Sequence, residues 1–114
     1  MHTRIHSGVR LPIVVVACVI VFVSACSGDP GANAPTAYVT SCATCHDEGL
    51  GGAPVPGDKA DWERRTGKGM AKVYENAING FEGAMGIMPA RGSRPDLSDE
   101  EIKEAVDWMV QASQ

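Results

Sequence analysis

Apolar residues recur at helical spacing in two stretches of the chain's second half. In "GMAKVYENAING" Met70, Val73, Tyr74, Ala77 and Ile78 share one face, and Gly80 stands where such a helix stops. Further on, Ile102, Ala105, Val106 and Met109 form a second stripe. Ser98, with Glu101 three residues later, is a capping box that marks the start of that helix. "TAYVTSCATCH" (36–46) reads as a short helix and "ADWERR" (60–65) as a helical turn. Two Gly- and Pro-rich loops separate these elements, "DEGLGGAPVPGDK" and "FEGAMGIMPARGSRPD". No segment alternates between apolar and polar residues in the manner of a strand. The pattern predicts an all-α folded part over 36–114, with three or four short helices and long loops.

The N-terminal pattern is different. Residues 1–10 carry Arg4 and Arg10 and no acid, and "LPIVVVACVIVFV" (11–23) is a continuous apolar run. A basic start followed by such a run is the layout of a secretory signal, and the run is short for a bilayer-spanning helix. Its end, "VSAC" (23–26), resembles the lipobox of bacterial lipoproteins. That resemblance implies a signal peptide over 1–25, cleaved before Cys26, with Cys26 carrying the lipid that anchors the protein to a membrane. Residues 26–35 are then the lipidated cysteine and a flexible tether, "SGDPGANAP", that extends to roughly 30 Å. The chain is expected to be exported and periplasm-facing. Ser27, where enteric-type lipoproteins retained at the inner membrane carry Asp, favours the outer membrane over the inner one.

Loss of Arg4 and Arg10 leaves eight basic residues against fourteen acidic ones, a net charge of −6. Nucleic acid, whose binding needs basic patches, is excluded as a partner. The charge suits a soluble domain and permits a basic protein partner.

With Cys18 in the signal and Cys26 lipidated, Cys42 and Cys45 are the remaining cysteines, so no second pair is left for a structural disulfide. His46 is the one histidine after the signal. A folded part this small, with two glycine-rich loops, usually needs a staple.

Cys42, Cys45 and His46 form C-x-x-C-H, the attachment signature of c-type haem. On a helical turn the three lie at i, i+3 and i+4, on one face. The thiols can then add to the two vinyl groups of the porphyrin while the imidazole sits under the iron. Ala43 and Thr44 are small enough not to obstruct the ring. A structural zinc site wants four ligands, and this chain offers two thiols, one imidazole and at best Asp47 or Glu48. A thioredoxin-like dithiol belongs to a βαβ pattern, which is not seen. One covalent haem c is the expected cofactor.

A second histidine ligand is impossible, which leaves methionine, lysine or an open sixth position. Met70 and Met109 lie on apolar helical faces and read as core. Met85 and Met88 lie in a loop. Met88 precedes Pro89, which stiffens the segment into non-helical geometry, whereas Met85 precedes Gly86. Met88 is favoured as distal ligand and Met85 is the alternative.

These pieces, in order, resemble the class I c-type cytochromes, and within them the small bacterial cytochrome c-five group. The matching segments are "CATCH" (42–46), "APVPGDKADWERR" (53–65), "AING" (77–80), "MPARG" (88–92) and "LSDEEIKEAVDWM" (97–109). The resemblance implies a class I cytochrome c fold, three to four short helices and long loops wrapped around one haem. It implies thioether bonds at Cys42 and Cys45, and iron ligation by His46 and Met88. It also implies that the Pro54 carbonyl accepts from the His46 ring, and that Trp62 and Arg65 lie near the haem propionates. Trp108 would sit near Tyr38 where the terminal helices cross. Some members carry an extra cysteine pair after the "MPxxG" segment; this chain has "SRPD" there.

The implied function is electron transfer at the periplasmic membrane surface, without catalysis. Partners would be redox proteins: a reductase, an oxidase or a dehydrogenase. Two alternatives stand beside it: a haem subunit of a larger respiratory or dehydrogenase complex, and a gas-binding haem sensor if the distal site is labile.

Overall fold

A computed structural model describes residues 31–114. The signal segment 1–25, Cys26 and the first residues of the tether lie outside the described residues.

Helix α1 joins two stretches of different pitch, a π-helical Tyr38–Cys42 and an α-helical Ala43–His46. The wide turn closes with the Ala43 N–H donating to the Tyr38 carbonyl. Such widened turns recur at functional sites, and this one opens directly into the Cys-x-x-Cys-His segment. A 3₁₀ turn, Leu50–Gly52, follows.

Helix α2 (Lys59–Thr66) starts at Asp58, whose carboxylate accepts from the Asp61 N–H at 3.0 Å. Helix α3 (Met70–Asn79) ends at Gly80, whose φ of 87° is open to glycine but costly for other residues. Helix α4 (Asp99–Gln111) begins with the expected box: Ser98 Oγ accepts from the Glu101 N–H, and Glu101 Oε2 accepts from the Ser98 N–H at 2.8 Å.

The long loop after α3 holds one feature that the residue pattern did not announce. Strands β1 (Phe81–Glu82) and β2 (Ile87–Met88) pair antiparallel, Phe81 with Met88 and Glu82 with Ile87. Two-residue strands are too short to display alternation. A second 3₁₀ turn, Ala90–Ser93, links the hairpin to α4. The fold is otherwise helical.

The core forms where α1, α3 and α4 meet, with Trp62 of α2 added. Tyr38, Trp62, Ala77, Leu97, Ile102, Ala105, Val106 and Met109 are buried together. The stripes predicted on α3 and α4 are the surfaces that pack. At the crossing of the first and last helices, the Tyr38 and Trp108 rings lie 4.4 Å apart between centroids, tilted by 46°. Tyr38 also donates its hydroxyl to Asp47, and burial pushes its phenol pKa up. This crossing fixes the end of α1 against the body of the protein.

Candidate functional site

Beside α1 lies a cleft of about 640 Å³, within the size range of cofactor pockets. Helix α1 contributes Cys42, Cys45 and His46 to its lining, and the hairpin contributes Met85 and Met88. The 50–54 segment supplies a further stretch of the wall, including Pro54.

His46 is buried, and burial is the main cause of its lowered pKa, so the imidazole is held neutral. Its Nδ1 lies 2.8 Å from the Pro54 carbonyl oxygen. A carbonyl only accepts, so Nδ1 carries the ring proton and Nε2 keeps the lone pair. Cys42 is buried, its sulfur 3.8 Å from the Ala37 carbonyl, and burial pushes its thiol pKa up. Cys45 is exposed, and neither sulfur is bridged.

Met88 is half-buried and packs against the core. Met85 is 77 % exposed at the hairpin tip. Its side chain covers the backbone of Gly52, where a Cβ would come within 2.5 Å of the Met85 methyl carbon. Gly86 is pressed as closely to Gly51, with a hypothetical Cβ 2.8 Å from the Gly51 carbonyl oxygen. The two loops therefore meet through glycines at the rim of the cleft.

Arg65 lies at the cleft's edge, one third exposed. Its Nε donates to Asp61 Oδ1 at 2.9 Å, and its Nη2 donates to the Gly52 carbonyl at 3.1 Å and to Asp61 Oδ2 at 3.2 Å. Nη1 has no acceptor among the described residues, which leaves two N–H groups for an anion. Trp62 stands apart from the cleft lining and is buried in the core. Its Nε1 donates to the Val55 carbonyl at 3.0 Å, bracing the residue next to Pro54.

No three His, Cys, Asp or Glu side chains among the described residues are grouped to cage an ion. One imidazole with a free lone pair, two thiols on the same turn and two thioethers, all around a broad cleft with more apolar than polar wall, suit a flat organic group with a central metal. The donor set fits haem.

Sequence reasoning missed two residues here. Ser41 Oγ lies 3.1 Å from the Arg91 carbonyl and 3.0 Å from that of Gly92. Arg91 in turn donates from Nη1 to the Leu97 carbonyl at 2.8 Å and pairs with Asp99. No local signal announces contacts between residues 50 positions apart.

Residues 30–109 match a family model described as cytochrome c oxidase, cbb3-type, subunit III. Cytochrome c-555 of Chlorobaculum tepidum is 42 % identical over 94 residues, covering 82 % of this chain and 86 % of that protein. Cytochrome c-555 of Chlorobaculum thiosulfatiphilum is 47 % identical over 73 residues, covering 64 % and 85 %. Cytochrome c5 of Ectopseudomonas mendocina is 33 % identical over 88 residues, covering 75 % and 97 %. Among solved structures, a chain from the electron transfer complex of nitrite reductase with cytochrome c aligns with a TM-score of 0.59 and 28 % identity, over 68 % of this chain and 89 % of that one.

Proposed function

The chain belongs to the class I c-type cytochromes, small electron carriers that hold haem c covalently, and on that premise we propose which residues hold the group and where the protein works. Cys42 and Cys45, both unbridged and both on the cleft wall, would hold the group through thioether bonds. His46 would hold the iron through Nε2, the ring nitrogen not spent on Pro54, and Met88 would hold it through its sulfur. Haem supplies one-electron exchange between two iron oxidation states. The protein's residues keep the iron's surroundings the same in both states. Pro54 holds the His46 ring by its Nδ1–H, so the imidazole cannot turn away. Trp62 holds the neighbouring Val55 in place. Arg65 offers its two spare N–H groups to a propionate carboxylate.

The observation that carries this reading is His46, its Nδ1 spent on the Pro54 carbonyl, lining one cleft with a half-buried Met88. Two protein ligands leave no open position for a substrate, so the protein is a carrier rather than an enzyme. Phe81, Leu50, Met85 and Ile87 line the cleft and expose large apolar side chains. They form a rim suited to brief contact with a redox protein partner, a reductase, oxidase or dehydrogenase. The solved relative was captured in a complex with nitrite reductase. The relatives named cytochrome c-555 and cytochrome c5 support the reading as a carrier.

Export follows from the apolar run 11–23, and anchoring from the acylation of Cys26. No helix among the described residues is long and apolar enough to cross a membrane. The lipid and the 26–35 tether hold the carrier near the membrane surface, the outer membrane on the evidence of Ser27.

The test is the absorption spectrum of the haem-loaded mature domain, oxidised and reduced, with and without carbon monoxide. A weak far-red methionine-to-iron band, lost in Met88→Ala and kept in Met85→Ala, with a reduced spectrum insensitive to carbon monoxide, supports the carrier. Ready binding of carbon monoxide by the unmutated protein replaces it with a gas-binding protein.

A further inference from the structure

The segment that bears Met88 is held without a disulfide, since the cysteines among the described residues are Cys42 and Cys45, both unbridged. Just beyond it the backbone takes an uncommon course. Arg91, Gly92 and Ser93 have φ of 53°, 60° and 66° in succession. Two of these are not glycine, and residues with a Cβ disfavour that region. Such a conformation persists only when its surroundings over-determine it.

Two side chains supply that determination. Ser41, the residue before the first haem-attachment cysteine, reaches the carbonyls of Arg91 and Gly92 from α1. Arg91 grips the start of α4 through the Leu97 carbonyl and the Asp99 carboxylate. Gly92 makes the first contact possible, because a Cβ there would lie 2.2 Å from Ser41 Oγ. Between the Ala90–Ser93 turn and Met88 stands only Pro89, which fixes its own φ near −68°. A shift of the turn therefore carries directly to Met88. On the other side Gly80 packs against the Met88 carbonyl and the Ala90 nitrogen.

We propose that Ser41 and Arg91 are positioning residues for the Met88 sulfur: they latch the Ala90–Ser93 turn between α1 and α4 and so keep the distal ligand on the iron. The inference rests on Met88 being that ligand. When the latch opens, the turn can relax from its left-handed course, and Met88 leaves the iron for part of the time.

The experiment compares the haem-loaded mature protein with Ser41→Ala, Arg91→Gln, Arg91→Lys and Met88→Ala. Three quantities are read: the far-red methionine-to-iron band, the rate of carbon monoxide association with the reduced form, and the thermal unfolding midpoint. Carbon monoxide enters only while the sulfur is off, so its rate follows the open fraction. Ser41→Ala and Arg91→Gln are expected to keep most of the band yet bind carbon monoxide about fivefold faster or more, the factor that goes with losing a hydrogen bond. Arg91→Lys, which keeps a charge for Asp99, falls between Arg91→Gln and the unmutated protein. Lower unfolding midpoints with an unchanged carbon monoxide rate would overturn the proposal, since the two residues would then serve the fold alone. Should Ser41→Ala not fold, the two Arg91 variants carry the test. Met88→Ala separates the two failures: if it keeps the band, the ligand assignment itself is wrong.

Discussion

The Nδ1 of His46 lies 2.8 Å from the carbonyl oxygen of Pro54, and the indole of Trp62 holds the carbonyl of the next residue, Val55, at 3.0 Å. The imidazole is thus oriented by a loop that is itself oriented by a core residue. Trp62→Phe keeps most of the apolar volume and removes the donor. It is expected to cost about 1–2 kcal/mol in a denaturant titration, the penalty of leaving a carbonyl without its partner. A change in the visible spectrum or reduction potential should accompany that loss, because the Pro54 contact loosens.

The two loop methionines should separate sharply. Met88 is half-buried against the core, while Met85 is exposed over Gly52. Met88→Ala is expected to abolish the far-red band and lower the reduction potential, since a methionine ligand raises it. Met85→Ala should leave both near those of the unmutated protein. A potentiometric titration of the two variants checks this.

Gly86→Ala tests the contact between the hairpin and the Leu50–Gly52 turn. A Cβ would sit 2.8 Å from the Gly51 carbonyl oxygen and 2.9 Å from its Cα, both backbone atoms that cannot swing aside. The expected cost is about 1–3 kcal/mol of stability, with faster carbon monoxide binding as the hairpin lifts.

Among the described residues Met109 is the largest fully buried side chain, on the face of α4 that packs into the core. Met109→Ala is expected to cost about 2–5 kcal/mol by thermal or denaturant unfolding. The methionine-to-iron band of the folded fraction should persist, which marks this residue as core rather than ligand.

The cap of α4 carries a pH dependence. Hydrogen bonds from the Ser98 N–H and hydroxyl hold the Glu101 carboxyl below its ordinary value near 4.5. A lowered folded-state pKa means this contribution to stability is full above about pH 4.5 and is lost as pH falls through the lower, folded value. Ser98→Ala should therefore lower the unfolding midpoint at pH 7, and the gap to the unmutated protein should narrow below pH 4. Thermal melts across that range measure it.

What the sequence determined by itself is local. The i, i+3, i+4 spacing put Cys42, Cys45 and His46 on one turn, and the structure sets all three along a single cleft. The Ser98–Glu101 box and the stripes of α3 and α4 were legible because a cap and a helical face need only near neighbours. Tertiary structure alone decided the rest. The β1–β2 pairing involves strands too short to show a period, and the π-helical turn Tyr38–Cys42 departs from α-helix by one hydrogen-bond register. The contact of Gly86 with Gly51 and the reach of Ser41 to Arg91 and Gly92 join positions far apart in the chain. Such contacts depend on how the helices pack and which backbones can approach, and residue spacing within a segment holds no record of either.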